Sequence, residues 1–377
     1  MKITGAQVLE FRRRLDGRSW NPSFRWTERR APLLLIETDA GAVGVGEAWS
    51  RQPEIERVLD DLADRCGPAL LGQDPSSLSP VVAGLAAPGD WVGAASGSAI
   101  DMAAWDLVAQ AKGQPLWRAL GGSSGHVRVY ASGGLYRDGA TLDDLAREFA
   151  GYVGHGFTAM KMKIGGLALD ADIARVRTVR DAIGDATLWV DAVNQLTART
   201  APQWCEALAR FDVAAIQAPL AFDDVAGMAE INQSLMPVVA TEAEHRESAF
   251  RALLDANAVA YLQYCVGVCG GFTGAARLDD AASRHRVPTT PQCFSTAVMQ
   301  AASLHFTAAR DNVAAAEYHR FHDHLAACLP SAMRTIESGA VELDDTPGLG
   351  VRMPALGEQP CGGEIVLHRH VTAHPRG

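Results

Sequence analysis

The sequence lacks the long apolar runs that cross membranes, because no stretch approaches about 18 consecutive apolar residues. Its first 14 residues have no apolar core of the signal-peptide kind, so we expect a cytoplasmic protein. No basic run is longer than three arginines and the net charge is −10, which argues against a nucleic-acid partner. The seven cysteines form no CxxC pair, and their odd number favours reduced thiols over a disulfide framework.

What the chain does contain is enough residues, 377, for a barrel and a smaller domain. Apolar runs at 32–37 and 43–48 predict a β-hairpin, and helices predominate from residue 54 to about 120. Residues 16–30 are polar and rich in tryptophan and arginine, as in a lid. We expect Arg25 and Trp26 of this segment to contact substrate; Arg25, Arg29 and Arg30 could meet a second carboxylate, or form a solvated basic turn.

After residue 125, short apolar β-branched runs alternate with amphipathic helical stretches, which predicts an α/β fold with a parallel sheet. Eight such units favour a closed (β/α) barrel, and a doubly wound open sheet is the alternative. No GxGxxG motif opens a helix after the first of these strands, and the glycines between residues 41 and 46 are interpreted as turns. The predicted strands are 127–132, 159–164, 187–193, 213–219, 238–242, 259–265, 288–292 and 314–318.

The second predicted barrel strand carries two lysines, Lys161 and Lys163. Residues two apart on a strand share a face, so both amines point the same way. The apolar flanks indicate an internal strand, where two free amines would be costly unless they served a function. Because barrel enzymes place their chemistry at the carboxyl ends of the strands, these lysines are candidate catalytic groups, the alternative being a solvated strand edge.

Carboxylates end the third and fifth predicted strands, at Asp191 and Glu242. With an oxygen from Gln217 at the end of the strand between them, they would form a site for a hard divalent cation such as Mg²⁺. A lysine beside such a site can take a proton α to a carboxylate, with the resulting enediolate held by the ion. Gln217, Gln292 and Cys265 are uncharged, so a structural role for each stays open.

Several segments resemble the mandelate racemase and muconate lactonizing branch of the enolase superfamily. The resemblance covers nearly the whole chain and rests on VGVGEAW at 43–49, SAIDMAAWD at 98–106, GQPLWRALGG at 113–122, GFTAMKMKIG at 156–165, CGGFT at 269–273 and PQCFST at 291–296. It implies an α+β capping domain over a (β/α)₇β barrel, Mg²⁺ as cofactor, a small-molecule carboxylate as substrate and a homo-oligomer. The expected division is a capping domain at 1–125, with 325–377 packing on it, and a catalytic barrel at 126–324.

The resemblance places the metal ligands at Asp191, Gln217 and Glu242, and the carboxylate that ends strand eight at Glu317. The sequence also departs from the family pattern. The middle ligand is usually glutamate, so Gln217 removes one negative charge. Cys265 and Gln292 stand where racemases of this branch carry an Asp–His dyad, and Val268 stands where other members carry a lysine.

One wall of the predicted site therefore has lysines and the other has no recognisable base. This favours a Mg²⁺-dependent lyase or cycloisomerase acting on a hydroxylated carboxylate such as a sugar acid, with Lys163 as the base and Lys161 assisting. Glu317, Gln292 and Cys265 would contact substrate. Two alternatives stay open: an epimerase that uses Lys163 with Lys161 or the Cys265 thiol as a second base, and a barrel whose site has decayed into a non-catalytic binding module.

Overall fold

The structure is a computed structural model that describes residues 1–78, 81–82, 84, 90–240, 243–320, 329–353, 356, 358 and 362–373. Its N-terminal part begins with five strands, β1 (Ile3–Arg14), β2 (Ser19–Asn21), β3 (Phe24–Arg25), β4 (Glu28–Thr38) and β5 (Val43–Glu47). The helices that follow are α1 (Ile55–Asp60), a π-helical turn at Asp61–Cys66, α2 (Gly67–Leu70), α3 (Trp91–Ala111) and α4 (Leu116–Ala119). None of the described helices is long and apolar enough to cross a membrane.

The second part alternates strands and helices, as the sequence predicts. Its strands are β6 (His126–Gly133), β7 (Tyr136–Arg137), β8 (Ala159–Lys163), β9 (Thr187–Asp191), β10 (Val213–Gln217), β11 (Val238–Ala240), β12 (Tyr261–Tyr264), β13 (Thr289–Pro291) and β14 (Ala316–His319). Its helices are α5 (Leu142–Gly154), α6 (Leu169–Ile183), α7 (Ala201–Ala209), α8 (Val225–Ser234), α9 (Glu247–Asp255), α10 (Gly271–Arg284) and α11 (Ala297–Ala308). The short helix α12 (Ser331–Arg334) and the strands β15 (Ala340–Glu342) and β16 (Glu364–Thr372) complete the chain.

Eight parallel strands form a nearly closed barrel in the order β13-β12-β11-β10-β9-β8-β6-β14. The remaining seam, between β13 and β14, is bridged where Thr289 pairs with Val313 and where Thr290 Oγ1 donates to the Ala315 carbonyl at 2.8 Å. The predicted α/β barrel with an α+β capping domain is therefore confirmed, and the doubly wound alternative is wrong. The apolar β-branched residues of these strands are buried between the barrel and its helices, which explains their near-continuous hydrophobic runs.

The capping sheet has the order β16-β1-β4-β5, so a C-terminal strand pairs with the first strand of the chain. Two glycines in β5 are needed for helix packing and not for turns, contrary to the expectation from sequence. A Cβ on Gly46 would lie 2.0 Å from the carbonyl oxygen of Ala99, and one on Gly44 would lie 2.3 Å from that of Ala103. Their absence of side chains lets α3 lie directly on the sheet. The exact domain boundaries stay a prediction.

Contacts from α3 hold the capping domain against the barrel. The Asp101 carboxylate accepts hydrogen bonds from the Thr273 backbone N–H at 3.0 Å and from its hydroxyl at 2.5 Å. Ser98 Oγ accepts one from the Gly270 N–H at 2.9 Å. These side chains satisfy backbone N–H groups at the start of α10, so hydrogen bonds connect the two domains beside the barrel mouth.

The lid segment at 16–30 has regular structure that the sequence does not predict. Strand β2 pairs with β3 and also with β7, which follows the first barrel strand. Trp20 stacks on Tyr136 with ring centroids 4.4 Å apart, and Arg25 forms an ion pair with Asp138 at 2.6 Å. The lid is therefore attached to the barrel that it covers.

Candidate active site

The two lysines of β8 lie at the barrel mouth, but their surroundings differ. Lys161 has 1% of its side chain exposed, and its ammonium donates to Gln217 Oε1 and Glu317 Oε1, both at 2.8 Å. Lys163 is 12% exposed and its described ion pair is with Asp191. Lys161 is buried between Gln217 and Glu317, with Asp191 3.8 Å from its ammonium. Lys163 is the more exposed of the two amines, so it is better placed to react with a bound molecule.

Asp191 is held in place by strand register and by charge. In the register of the parallel strands, Asp191 lies next to Lys163 of β8 and next to Gln217 of β10. Three side chains from neighbouring strands therefore lie at one level of the barrel. One carboxylate oxygen accepts from Lys163 and the other accepts from the Val193 N–H at 2.9 Å. Burial by itself would raise the pKa of the Asp191 carboxyl, but the ammonium groups of Lys163 and Lys161 outweigh it and hold that pKa below its ordinary value.

A change in backbone conformation ends two of these strands earlier than the sequence predicts. Val193 and Ala218 have φ values of 52° and 45°, in the left-handed region, so β9 ends at Asp191 and β10 at Gln217. A β-branched residue rarely adopts this conformation, which is characteristic of functional sites. The turns leave the Asp191 and Gln217 side chains at the strand ends.

Glu317 and Gln292 line the wall next to the lysines. The second carboxylate oxygen of Glu317 accepts from the Cys293 N–H at 3.1 Å, which fixes the carboxylate that holds Lys161. Gln292 is 3% exposed, and its side-chain oxygen has no hydrogen-bond partner among the described residues. A buried acceptor without a donor is costly, so Gln292 is ready to accept a hydrogen bond from a bound molecule.

Cys265 lies elsewhere. It is fully buried at the end of β12, and it does not belong to the described residues that line the cavity at the barrel mouth. Burial raises the pKa of its thiol well above the ordinary value, so a thiolate base is disfavoured at this position. The structure thus gives no support to Cys265 as a second base or a substrate contact.

A cavity of about 390 Å³ lies between the barrel mouth, the lid and the segment that follows β5. Of the residues predicted to contact substrate, the cavity includes Trp26, Gln292 and Glu317 but not Arg25, whose guanidinium is engaged by Asp138. The described residues that line it are Asn21, Ser23, Phe24, Trp26, Arg29, Arg30, Ala48, Trp49, Ser50, Arg51, Gln52, Pro53, Lys161, Lys163, Gln292, Phe294, Ser295 and Glu317.

Sequence reasoning missed a buried network behind Lys163. Arg175 on α6 donates to the carbonyl of Lys163 at 2.9 Å and to that of Gly134 at 2.8 Å. Its partner Asp172 accepts from the Tyr136 hydroxyl at 2.8 Å and from the Gly165 N–H at 2.8 Å. No local pattern signals these contacts, since they join residues up to 41 positions apart. The network ties the end of the lysine strand to the residue on which the lid stacks.

The oxygen atoms described at the predicted metal site are ligands of the type that a hard divalent cation prefers. The Asp191 carboxylate and the Gln217 amide are oxygen ligands on neighbouring strands at matched register. The third predicted ligand, Glu242, lies outside the described residues. Within the described ranges, no group of three or more His, Cys, Asp or Glu side chains is arranged to hold a metal ion.

Comparison with known proteins indicates the same family as the resemblance of the sequence motifs. Residues 25–121 match the mandelate racemase / muconate lactonizing enzyme N-terminal domain, and residues 144–355 match the enolase C-terminal domain-like family. The chain is 30% identical to D-galactarolactone cycloisomerase of Agrobacterium fabrum over 94% of this chain and 97% of that protein. It is 28% identical to arabinonate dehydratase of Saccharolobus solfataricus over 86% and 89% of the two chains.

A solved structure of similar fold is a racemase from Streptomyces coelicolor with bound magnesium. It has a TM-score of 0.83 and 25% identity, and the match covers 94% of this chain and 97% of that one. The two family matches together span both domains of the fold described above. The chain therefore belongs to the mandelate racemase and muconate lactonizing group of the enolase superfamily, and it is a lyase or isomerase of that superfamily.

Proposed function

We propose that this protein is an acid-sugar dehydratase or cycloisomerase that removes a proton α to a carboxylate. The observation that carries the proposal is the pair of lysines at the barrel mouth, of which Lys163 reaches the cavity with Asp191 beside it. Relatives named as a cycloisomerase and a sugar-acid dehydratase match most of the chain, at identities of 30% and 28%. These identities support the class of reaction and leave the particular acid open.

Lys163 is the proposed base. Its neutral amine would take the α-proton and leave an enediolate. In a dehydration, the C–O bond of the β-hydroxyl then breaks, and the Lys163 ammonium returns the proton to the departing oxygen as water. The enol that remains becomes a 2-keto acid. In a cycloisomerisation, the ring C–O bond at the β-carbon breaks instead, and the same ammonium would protonate the ring oxygen as it leaves; the resulting enol again becomes a 2-keto acid. Either route requires one base on one face of the substrate.

Lys161 is proposed to position charge and not to exchange the proton. Gln217 and Glu317 fix its ammonium, each at 2.8 Å, and its side chain is almost completely buried. A fixed cation at this point favours the substrate carboxylate and the additional charge that develops on it. Glu317 acts through Lys161, because one of its oxygens holds that amine while the other accepts from the Cys293 N–H.

We infer that Asp191, Gln217 and Glu242 hold one Mg²⁺ per site. When bound, the ion supplies positive charge next to the substrate carboxylate. The amide of Gln217 can provide a ligand oxygen but no negative charge, so the affinity for Mg²⁺ should be lower than with a glutamate.

The side chains that line the cavity favour a one-sided reaction. Gln292 has no titratable group, and besides the two lysines of β8 the lining residues described are amides, hydroxyls, aromatic rings, aliphatic side chains, guanidinium groups and the carboxylate of Glu317. Glu317 is engaged by Lys161. Racemisation by two opposed bases is therefore disfavoured. Gln292 would instead accept a hydrogen bond from a substrate hydroxyl through its unpartnered oxygen.

The test is a screen of aldonic acids, aldaric acids and their lactones in D₂O with MgCl₂, followed by NMR and by detection of 2-keto acids. We expect at least one acid to be consumed by the wild type and by Lys112→Ala, but not by Lys163→Ala. Lys112 is the matched control because it is exposed at the end of α3, outside the cavity. Equal turnover by Lys163→Ala would contradict the assignment of the base. Absence of turnover and of exchange across the panel would favour a non-catalytic barrel.

A further inference from the structure

The wall of the active-site cavity is strongly cationic although the whole chain has a net charge of −10. Five described lining side chains are cations, namely Arg29, Arg30, Arg51, Lys161 and Lys163, whereas Glu317 is the single carboxylate among the lining residues described. Such an excess costs energy in a partly desolvated space unless anions are supplied. The reacting carboxylate of the substrate accounts for one anion.

Three of the five cations are neutralised by the protein. Arg30 pairs with Glu10 and with Glu56, the latter at 2.6 Å. Lys161 pairs with Glu317 at 2.8 Å, and Lys163 pairs with Asp191. Within the described part of the chain, neither Arg29 nor Arg51 forms an ion pair; their described hydrogen-bond acceptors are the carbonyls of Phe294 at 2.9 Å and Ala243 at 3.2 Å.

Arg29 is the more informative of the two because it is buried. It is 7% exposed at the start of β4, where its guanidinium lies 4.1 Å from the Phe294 ring centre and donates to the Phe294 carbonyl at 2.9 Å. Its remaining N–H groups make no hydrogen bond to a described residue. Burial lowers the pKa of Arg29 to about 10, which the charge of Glu47 opposes only in part.

Glu47 does not form an ion pair with Arg29, because its carboxylate is engaged by other groups. Its carboxylate accepts from the Thr296 N–H at 3.2 Å, from the Thr296 hydroxyl at 2.5 Å and from the Met299 N–H at 3.0 Å. A guanidinium that is fixed by stacking, lines a cavity and has free N–H groups is preorganised for a planar, two-oxygen anion.

We propose that Arg29 forms a second anion subsite, so that the substrate is a hydroxylated acid with two carboxylates, one at the lysines and one at Arg29. This inference rests on the proposed function for the identity of the first carboxylate. The Phe294 ring and the Trp26 ring, whose centres are 5.5 Å apart, form the apolar side of this subsite and reduce its exposure to water. Such shielding strengthens the pairing of Arg29 with an anion.

The test compares six-carbon aldaric acids, which have two carboxylates, with the aldonic acids of the same configuration, which have one. Binding is measured by calorimetry in the presence of MgCl₂. We expect the wild type to bind at least one diacid about tenfold or more tightly than its monoacid counterpart, as for a charge-assisted hydrogen-bonded pair. Arg29→Gln should remove this preference and leave the monoacid affinity within about twofold.

Two further variants separate recognition from folding. Arg29→Lys keeps the positive charge and should keep part of the preference for the diacid. Arg57→Gln removes a surface arginine of the same domain, with 66% of its side chain exposed, and should bind both acids as the wild type does. A structural role for Arg29 predicts a lower melting temperature for Arg29→Gln with equal losses for both acids. That result, or the lack of any diacid preference in the wild type, would overturn the inference.

The two sets of experiments distinguish a failure of the subsite from a failure of the proposed function. A diacid that binds with the Arg29-dependent preference but is neither consumed nor deuterated would support the subsite and contradict the proposed function. A monoacid that is consumed in a Lys163-dependent way, with no preference for diacids, would support the proposed function and contradict the subsite.

Discussion

At the scale of residues, the two lysines of β8 lie on the same strand and point in the same direction, but we propose different roles for them. They are two of only four lysines in the chain, since the remaining cations are arginines apart from Lys2 and Lys112. Lys161 is fixed between Gln217 and Glu317, whereas Lys163 lies at the edge of the cavity. A lysine amine can act as a general base once it is deprotonated, whereas a guanidinium stays protonated, so lysines at these positions suit the proposed proton transfer.

Gln217 determines how strongly we expect the protein to bind Mg²⁺. Gln217→Glu restores a negative charge next to Asp191 and should tighten Mg²⁺ binding by about tenfold, because the affinity of oxygen-ligand sites rises with ligand charge. Calorimetric titration with MgCl₂ in the absence of substrate measures this directly. Gln233→Glu is the control, because Gln233 is exposed on α8 and its amide donates to a carbonyl of residue 256. An unchanged or weaker affinity in Gln217→Glu would mean that Gln217 is not a ligand.

At the scale of elements, the polar contacts of α3 hold the capping domain together, and one of them makes stability depend on pH. Asp106 is 3% exposed, and its two oxygens accept from the Val45 N–H at 2.9 Å and the Leu349 N–H at 2.8 Å. Burial raises the pKa of its carboxyl to about 6 in the folded state from the ordinary value of 3.8. The folded protein therefore binds this proton more tightly than the unfolded chain does.

The sign of the effect follows from that difference. The contribution of Asp106 to the free energy of unfolding is fully present below pH 3.8 and is lost as the pH rises through about 6. The amide introduced by Asp106→Asn cannot titrate, so the stability advantage of the wild type over this variant should shrink as the pH rises, by at most about 1.4 kcal/mol per pH unit. Urea unfolding at several pH values between about 4.5 and 7 measures this difference in the free energy of unfolding. The range covers most of the interval between the pKa of Asp106 in the unfolded chain and its pKa in the folded protein.

The control for this prediction is Asp345→Asn, which removes a carboxyl that is 76% exposed and paired with Arg118. Its stability relative to the wild type should vary little over the same pH range, since this carboxyl lies in solvent and not in the buried contacts of α3. An advantage of the wild type over Asp106→Asn that stays constant or grows with pH would show that Asp106 is not protonated preferentially in the folded protein.

The sequence predicts the barrel strands well because each is a short apolar run that is buried on both faces. It does not predict β2, β3 and β7, which have only two or three residues each and therefore no periodicity. It also misses the early ends of β9 and β10, since nothing in the identity of Val193 or Ala218 signals a positive φ. Local patterns predict elements, whereas these features depend on contacts between distant segments.

The residues of the candidate site also fall into two groups, those whose positions the sequence predicts and those that only the fold distinguishes. Lys161, Lys163, Asp191, Gln217, Gln292 and Glu317 could be identified from sequence because each lies at the end of a barrel strand, where position along the chain implies position in space. Arg29 and Arg25 could not be told apart, since they belong to one arginine-rich segment. The pairing of Arg25 with Asp138 and the burial of Arg29 against Phe294 become visible only in the fold.

At the scale of the whole molecule, the capping domain and the barrel each supply one part of the site. The barrel provides the lysines and the predicted metal ligands, and the capping domain provides Trp26, Arg29 and the segment at 48–53 that lines the cavity. The lid is joined to the barrel by β7, and Arg175 joins the same region to the carbonyl of Lys163. The residues proposed for substrate recognition and for proton transfer therefore lie on connected parts of one structure.

We propose that the chemistry occurs on the face of the substrate that Lys163 contacts. The most direct test is the stereochemistry of hydrogen exchange: an acid that the enzyme consumes is incubated in D₂O to partial conversion, and the recovered acid is analysed for deuterium and configuration at the α-carbon. We predict that any deuterium in the recovered acid is introduced with retention of configuration and that Lys163→Ala introduces none. Deuterium introduced with inversion by the wild type, or exchange that persists in Lys163→Ala, would contradict the claim.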